Sequence, residues 1–278
     1  MQRLDNGRRA IFLDFDGTYA DYGHVPEQHE AAVRGAREAG HVVMLCTGRP
    51  RCMITEEVLN SFDGIVGSAG GYVEIGGQVL ADRRFDRDAA NRAMVVLDRY
   101  DAAYLLEAPE AVYGLPGIDR RIAEIIGDRL GQRPEPADES KPFAALRMQP
   151  DLSRVEFAKI TCFDTPVPIM DVAAEIGDDV AFLPLSIQGM TIDTTGEIYL
   201  PGVHKADGIA TVIDHLGIDR SAVVAVGDGA NDLEMLEFAG FAVAIEGSSP
   251  QLLALADATA AGPAQAGLLP AFTSLGLL

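Results

Sequence analysis

Short runs of apolar residues, without regular polar interruptions, recur along the chain. Four of them are AIFLD (10–14), HVVMLC (41–46), AVVAVGD (222–228) and FAVAI (241–245). Continuous apolar runs of this length are typical of strands that are covered on both faces, as in a parallel sheet. The pattern therefore predicts buried parallel strands at these positions.

Helical periodicity lies between these runs. In KADGIATVIDHLG (205–217) the apolar positions fall at i, i+3, i+4 and i+7, and Gly217 supplies a stop. Weaker helices are predicted for residues 27–40 and for NDLEMLEFAG (231–240). Strands that alternate with helices in this way predict an α/β fold with a doubly wound parallel sheet.

The alternation changes between about residues 81 and 188. GYVEIGGQVL (71–80) predicts a hairpin that turns at Gly76-Gly77. The residues after it predict an α+β mixture, with helices over 88–100, 118–130 and 169–176, strands within 102–108, 111–115, 155–163 and 181–187, and a solvated, Pro-bearing loop at 131–142. We therefore predict a core domain made of residues 1–81 and 189–278, and an inserted α+β domain at 82–188.

Amino-acid composition and net charge exclude several classes of protein. The chain has 278 residues, of which 48% are hydrophobic, and its net charge of −20 has the wrong sign for a protein that tracks nucleic-acid phosphates. Neither a membrane span nor an apolar signal segment is predicted. The cysteines (Cys46, Cys52 and Cys162) show no CxxC spacing, so reduced thiols in a cytoplasmic protein are expected. Monomer and homodimer both remain open.

Polar and charged residues follow several of the predicted strands. Ligands bind outside the carboxyl ends of the strands in an open parallel sheet. The residues at these ends, together with one lysine that begins a helix, are Asp14, Asp16, Thr47, Asp228, Asn231, Asp232 and Lys205. Clustered acids would raise one another's pKa, whereas a shared cation would keep them ionised. The set therefore predicts a Mg²⁺ site with room for a phosphate.

Four segments, in this order, resemble the motifs of the haloacid dehalogenase-like phosphatase superfamily: DFDGT (14–18), CTGR (46–49), Lys205 and GDGAND (227–232). The α+β insertion and LPGVHKADGI around the lysine are similar to the Cof-type subfamily with a C2-type (IIB) cap. The resemblance covers most of the core. It implies a core that performs the chemistry and a cap that reads the substrate.

The resemblance also implies a role for each position. Asp14 would be the nucleophile, with its other oxygen on Mg²⁺, and Asp16 the general acid/base, with its backbone carbonyl on the metal. Asp228 would be a further metal ligand, and Asp232 would order a metal-bound water. The phosphoryl oxygens would be held by Thr47, by the backbone N–H groups of Phe15 and Gly48, by Lys205 and by Asn231.

Two segments differ from the subfamily pattern, and one residue has two interpretations. Ala69-Gly70-Gly71 replaces the usual Asn-Gly-Ala, and Gly247-Ser248 replaces the usual Asn-Ala. Arg49 could contact a leaving group or pair with an acid, and pairing is favoured. These departures argue against a close match in substrate to any familiar member.

The function implied is a Mg²⁺-dependent phosphatase that hydrolyses a small phosphorylated metabolite, most commonly a sugar phosphate in this subfamily, through an aspartyl-phosphate. A phosphomutase would use the same four motifs and is the alternative. A receiver domain also phosphorylates an Asp, but it is shorter and has no cap. A non-catalytic phosphate-binding regulator would have lost a nucleophile or an acid, whereas Asp14 and Asp16 are both present.

Overall fold

The structure is a computed structural model, and it describes residues 7–21, 23–130, 144–187 and 190–278. In chain order its strands are β1 Ala10–Leu13, β2 Val42–Cys46, β3 Gly64–Gly67, β4 Tyr72–Ile75, β5 Gln78–Asp82, β6 Ala103–Glu107, β7 Val112–Gly114, β8 Leu146–Met148, β9 Lys159–Asp164, β10 Ala181–Ile187, β11 Met190–Tyr199, β12 Val223–Gly227, β13 Phe241–Ile245 and β14 Ala258–Ala260. Its α-helices are α1 Glu27–Glu38, α2 Glu56–Ser61, α3 Arg87–Arg99, α4 Ile118–Leu130, α5 Ile169–Ile176, α6 Lys205–Leu216, α7 Leu233–Phe238, α8 Pro250–Leu255 and α9 Leu268–Leu275.

The described chain divides into two compact units. Residues 1–49, 54–82 and 203–278 form the first, here called the core unit. Residues 50–53 and 83–202 form the second, here called the inserted unit. Each unit has its own sheet, so each can be described by itself.

The sheet of the core unit has, among the described residues, eight strands in the order β14-β13-β12-β1-β2-β3-β4-β5. The strands from β14 to β3 are parallel, while β4 and β5 extend the sheet as an antiparallel hairpin. The hairpin turns at Gly76 and Gly77, whose φ angles are 56° and 79°. Both glycines are thus left-handed, as the predicted turn requires.

Helices cover both faces of this sheet. Ile11 and Leu13 of β1 belong to a core that also contains buried residues of α1 and α9. The alternate residues Ala10 and Phe12 belong to a second core with α6, α7 and α8. Because successive side chains of a strand point to opposite faces, a strand between two helical layers has to be apolar throughout. This confirms the predicted α/β fold and explains the uninterrupted apolar runs.

The inserted unit is an α+β structure. Its six described strands follow the order β10-β11-β9-β6-β7-β8 and are antiparallel except for the pair β7 and β8. Tyr104 and Leu106 of β6 pack in one core with α3 and α5. Leu105 packs in another with Ile118 and Ile122 of α4. This sheet also has helices on both faces.

The predicted boundary between residues 188 and 189 is wrong. It falls between β10 and β11, which pair with each other, and β11 also pairs with β9. The inserted unit therefore continues to residue 202. The sequence of β11, MTIDTTGEIY, is rich in polar residues and has no apolar run that would have indicated a strand. The predicted loop at 131–142 lies outside the described residues.

The three cysteines carry free thiols, as expected. Burial raises the pKa of the Cys46 thiol, which favours the unreactive protonated form. Among the residues described, no helix is both long enough and apolar enough to cross a membrane.

Candidate active site in the core unit

The central strands of the core unit bring three distant segments to one edge. β1 lies between β2 and β12, and Leu13, the last residue of β1, pairs with Leu45 and with Val226. The next backbone N–H, that of Asp14, still donates to the carbonyl of Val226 at 3.0 Å. The segments that follow these three strands therefore meet, as the sequence predicted.

Three carboxylates meet at this edge. Asp14, Asp228 and Asp232 each offer one oxygen, and these oxygens lie within 4.8 Å of one another. Asp14 is 5% exposed and Asp232 is fully buried. The second oxygen of Asp232 accepts hydrogen bonds from the backbone N–H groups of Asp228 and Gly229, both at 2.9 Å. The hydroxyl of Thr18 donates to Asp228 Oδ1 at 2.8 Å.

Lys205 joins two of these acids. Its Nζ lies 2.5 Å from Asp14 Oδ1 and 2.5 Å from Asp232 Oδ1, and the side chain is completely buried. Lys205 is the first residue of α6, where the helix dipole disfavours a cation. The two carboxylates outweigh this effect, so the position of the lysine is determined by the acids.

The charges of this cluster do not balance. Three carboxylates face one ammonium group. Burial raises the pKa of Asp14 well above its ordinary value; Lys205 opposes the shift, and Asp232 and Asp228 add to it. Burial tends to lower the pKa of Lys205, but Asp14 and Asp232 more than offset that and raise it. Burial also raises the pKa of Asp228, and Asp232 contributes.

The donor set fits a hard divalent cation. Carboxylate oxygens are the ligands that Mg²⁺ prefers, and it commonly takes one or two of them together with phosphate oxygens and water. A cation among the three oxygens would offset the repulsion by Asp232 and Asp228, which adds to the effect of burial on the pKa of Asp14. The predicted ligands Asp14 and Asp228 therefore lie together with Asp232, which is expected to order a metal-bound water, whereas the side chain of Asp16 is not among them.

The carboxylate of Asp16 points to a different partner. Arg49 Nε donates to Asp16 Oδ2 and Arg49 Nη2 donates to Asp16 Oδ1, both at 2.6 Å. The Arg49 guanidinium also lies over the ring of Phe15, 5.1 Å from its centre. Of the two interpretations of Arg49, pairing with an acid is confirmed, and the acid is the second one of the DFDGT motif.

The residues predicted to hold a phosphate also lie at this edge. Thr47 is 1% exposed, and its Oγ1 accepts from the backbone N–H of Arg49 at 3.1 Å. A Cβ built on Gly48 would lie 3.4 Å from Asn231 Nδ2, so the Asn231 amide reaches the β2 end of the site. Asn231 lies within the 3₁₀ turn Ala230–Asp232 and does not cap α7.

Two glycines allow the chain to pass close to the acids. Gly17 has a φ of +85°, and a Cβ there would lie 2.4 Å from Asp228 Oδ2. Gly227 also leaves no space for a side chain, since a Cβ there would lie 2.5 Å from Asp232 Cγ. Any side chain at either position would displace a carboxylate of the cluster. The sequence pattern did not indicate either of these contacts.

The end of β3 carries the first departure from the subfamily pattern. Ser68, Ala69 and Gly70 have successive φ angles of 48°, 53° and 102°. A Cβ on Gly70 would lie 2.1 Å from the carbonyl oxygen of His204, so this turn packs directly against the residue before Lys205. Asn adopts the left-handed region more readily than Ala, which gives the usual Asn a conformational reason at position 69.

A cleft of about 550 Å³ adjoins the acids. It is lined by Asp16 and Asp228 and by the loops after β13 and β14, including Glu246, Ser248 and Gln265. Its described lining residues include further acid at Asp21 but neither Lys nor Arg. The sequence analysis did not find Asp21 or Glu246, because the loops that bring them here have no motif.

Comparison with known proteins finds phosphatases among the proteins that this chain is similar to. A Methanothermobacter thermautotrophicus phosphoglycolate phosphatase is 28% identical over 253 residues, which cover 90% of each protein. A Streptococcus pyogenes protein named as a bifunctional phosphatase and peptidyl-prolyl cis-trans isomerase is 25% identical over 97% of this chain, but the chain spans only 54% of that protein's length. A solved structure of a subclass IIB sugar phosphatase shares the fold, with a TM-score of 0.75 and 21% identity over 97% of this chain and all of the other.

The family itself is shown by the match to a family model. The sequence model of the haloacid dehalogenase-like hydrolases aligns with residues 11–272, which include all four motifs and both units. The resemblance predicted from those motifs is thereby confirmed: this chain belongs to the haloacid dehalogenase-like hydrolase family.

Proposed function

We propose that this hydrolase is a Mg²⁺-dependent phosphatase that releases inorganic phosphate from a small phosphorylated metabolite through an aspartyl-phosphate. The observation that carries the proposal is the contact of Lys205 with Asp14 and Asp232 beside Asp228. It combines a nucleophilic carboxylate, a buried positive charge and a cation-binding oxygen set at one edge of the core-unit sheet.

The first step transfers the phosphoryl group to the protein. One carboxylate oxygen of Asp14 attacks phosphorus, and the bond from phosphorus to the leaving oxygen breaks. Asp16 gives its proton to that oxygen. In the second step water attacks the same phosphorus, Asp16 takes the proton, and the bond to Asp14 breaks. Inorganic phosphate leaves and both carboxylates return to their starting states.

The other predicted residues stabilise charge on the phosphoryl oxygens. Lys205, the hydroxyl of Thr47 and the amide of Asn231 donate to these oxygens, as do the backbone N–H groups of Phe15 and Gly48. Donors that are fixed before the reaction stabilise the transition state without reorganising. Bound by Asp14, the Asp16 carbonyl and Asp228, with Asp232 ordering a water, Mg²⁺ would supply further positive charge.

The inserted unit is proposed to select the substrate, and a sugar phosphate is the proposed class. Support comes from the acidic lining of the cleft beside Asp16, which suits a neutral, hydroxyl-rich leaving group better than an anionic one. The relatives named for phosphoglycolate and for sugar phosphates support a small substrate.

The decisive experiment measures phosphate release from p-nitrophenyl phosphate with Mg²⁺. Asp14→Asn should abolish release and EDTA should suppress it, whereas Asp214→Asn, which changes an exposed acid of α6, should do neither. Undiminished activity in Asp14→Asn would overturn the mechanism. A panel of phosphorylated metabolites, compared by kcat/KM and followed by ³¹P NMR, then identifies the substrate and distinguishes release from the transfer that a mutase performs.

A further inference from the structure

We infer that Arg49 is a positioning residue that holds the carboxylate of Asp16 in the orientation needed for proton transfer. This inference rests on the proposed phosphatase function. It assigns no contact between Arg49 and the phosphate.

The first observation is the bidentate pair between the side chains of Arg49 and Asp16, here called the fork. Arg49 donates from Nε and from Nη2 to the two different oxygens of Asp16, at 2.6 Å each. A bidentate pair of this kind fixes orientation as well as distance, and lysine cannot reproduce it. The Asp16 side chain is 47% exposed. Without the fork, therefore, little would prevent it from rotating into solvent.

The second observation is that Arg49 is itself held. Its guanidinium lies over the ring of Phe15, between the two acids of the motif. Its backbone N–H donates to Thr47 Oγ1, and its carbonyl accepts from the N–H of Ser68 at 2.9 Å. Both ends of the residue are thus tied to the edge of the sheet where Asp14 lies.

The fork leaves Asp16 able to act. A carboxylate oxygen has two lone pairs, and Arg49 uses one on each oxygen. The remaining lone pairs have a fixed direction, set by the plane of the guanidinium. Proton transfer depends on such geometry, because a donor must lie within hydrogen-bond reach of the oxygen that it protonates.

The test compares two substrates of similar size whose leaving groups differ in acidity. p-Nitrophenyl phosphate releases an acidic phenol that needs little protonation, whereas p-nitrobenzyl phosphate releases an alcohol that needs a proton. General acid catalysis typically contributes about 10²- to 10⁴-fold. We expect Arg49→Ala to lower the benzyl-to-phenyl ratio of kcat/KM by roughly 10- to 100-fold, as part of that effect, and Arg49→Lys to lower it by less.

Two further variants make the result specific. Asp16→Asn should shift the same ratio in the same direction, and Arg49→Ala should add nothing to it in the double variant. Arg37→Ala removes an arginine with a comparable carboxylate partner, Asp63, elsewhere in the core unit, and should leave the ratio unchanged.

The inference fails if Arg49→Ala weakens both substrates equally, which would indicate phosphate binding, or if its effect multiplies with that of Asp16→Asn. An unchanged ratio would overturn it as well. Failure of the phosphatase proposal looks different, because the wild-type protein would then release no phosphate from either substrate. Thermal unfolding of each variant identifies any loss that comes from misfolding.

Discussion

Among the described residues, each unit has a buried lysine that lies between two carboxylates, and the two clusters differ in how they are built. In the core unit Lys205 contacts Asp14 and Asp232. In the inserted unit Lys159, which is 2% exposed, contacts Glu107 at 3.2 Å and Glu197 at 2.5 Å. In both cases the acids raise the pKa of the lysine although burial tends to lower it.

The difference lies in location and in charge. Glu107, Lys159 and Glu197 project from the paired strands β6, β9 and β11, and Thr161 donates to Glu107 at 2.5 Å. The core cluster instead lies where strands end, and it contains a third acid, Asp228. The cluster of two acids and one lysine lies between hydrogen-bonded strands and links them. The core cluster, with three acids and one lysine at strand ends, has the larger acidic excess and can bind a cation. Burial of an ion pair alone therefore does not identify a catalytic site.

The largest effect should come from removing the core lysine. Lys205→Met takes away the charge that faces the proposed phosphoryl group, and one such donor is typically worth up to about 10³-fold in kcat. We expect a loss of that size in phosphate release, measured at saturating Mg²⁺. Lys159→Met in the same assay serves as the comparison. Retention of more than a tenth of the activity by Lys205→Met would contradict the assignment.

Removing the other lysine should mainly lower stability. Lys159→Met leaves the buried Glu107 and the partly buried Glu197 without their cation, and breaking a buried ion pair costs about 3 kcal/mol or more. Urea unfolding should show this loss. A triple variant with apolar residues at all three positions should recover most of it, since apolar replacements of whole buried clusters are often neutral. Normal unfolding with lost activity would instead place Lys159 in substrate binding.

Two glycines with similar positive φ angles allow backbone strain to be separated from displacement of a catalytic carboxylate. Gly17 and Gly40 have φ angles of +85° and +91°, but only a Cβ at Gly17 would meet Asp228. Gly40→Ala should cost about 1 kcal/mol in the free energy of unfolding and leave activity intact. Gly17→Ala should also displace a carboxylate, and displacements of about 1 Å cost on the order of 10²-fold in rate. Equal activities in the two variants would refute this reading.

The smallest expected effect concerns a buried histidine, His29. His29 is fully buried, with Nδ1 donating to the carbonyl of Tyr19 at 2.9 Å and Nε2 accepting from the N–H of Leu268 at 3.2 Å. Burial lowers the pKa of His29 below its ordinary value of 6.5. Its stabilising contribution is therefore present above pH 6.5 and is lost as the pH falls below it.

His29→Gln should accordingly flatten the pH dependence of unfolding below pH 6.5 by up to one proton, or about 1.4 kcal/mol per pH unit. Burial and Arg9 also lower the pKa of His41, so some dependence should remain in the single variant and decrease further in the His29→Gln, His41→Gln double variant. An unchanged slope in His29→Gln would show that His29 does not titrate on unfolding.

The proximity of Asp14 and Asp228 could be predicted from the sequence, because uninterrupted apolar runs identify buried strands. Parallel strands then bring their ends to one edge, whatever the separation along the chain. Lys205 was found from its place at a helix start and from its motif. The fold class followed from the same patterns, since they report burial directly.

Contacts between side chains could not be predicted in the same way. The fork between Arg49 and Asp16 depends on the register of β1 against β2 and on two rotamers. The closeness of Gly17 to Asp228 depends on a left-handed turn beside a strand more than 200 residues away. β11 was missed because its pairing partners, and not its own pattern, determine its conformation.

The strand order of the core unit has a consequence for synthesis. β1 leaves the ribosome with β2 as a neighbour, but its other neighbour, β12, begins 210 residues after Leu13. At about 5–20 residues per second, that edge of β1 waits on the order of ten to forty seconds for its partner. The whole inserted unit, residues 50–53 and 83–202, is made in that interval. An open edge strand of apolar residues favours mispairing, so the nascent chain is exposed to aggregation during this interval.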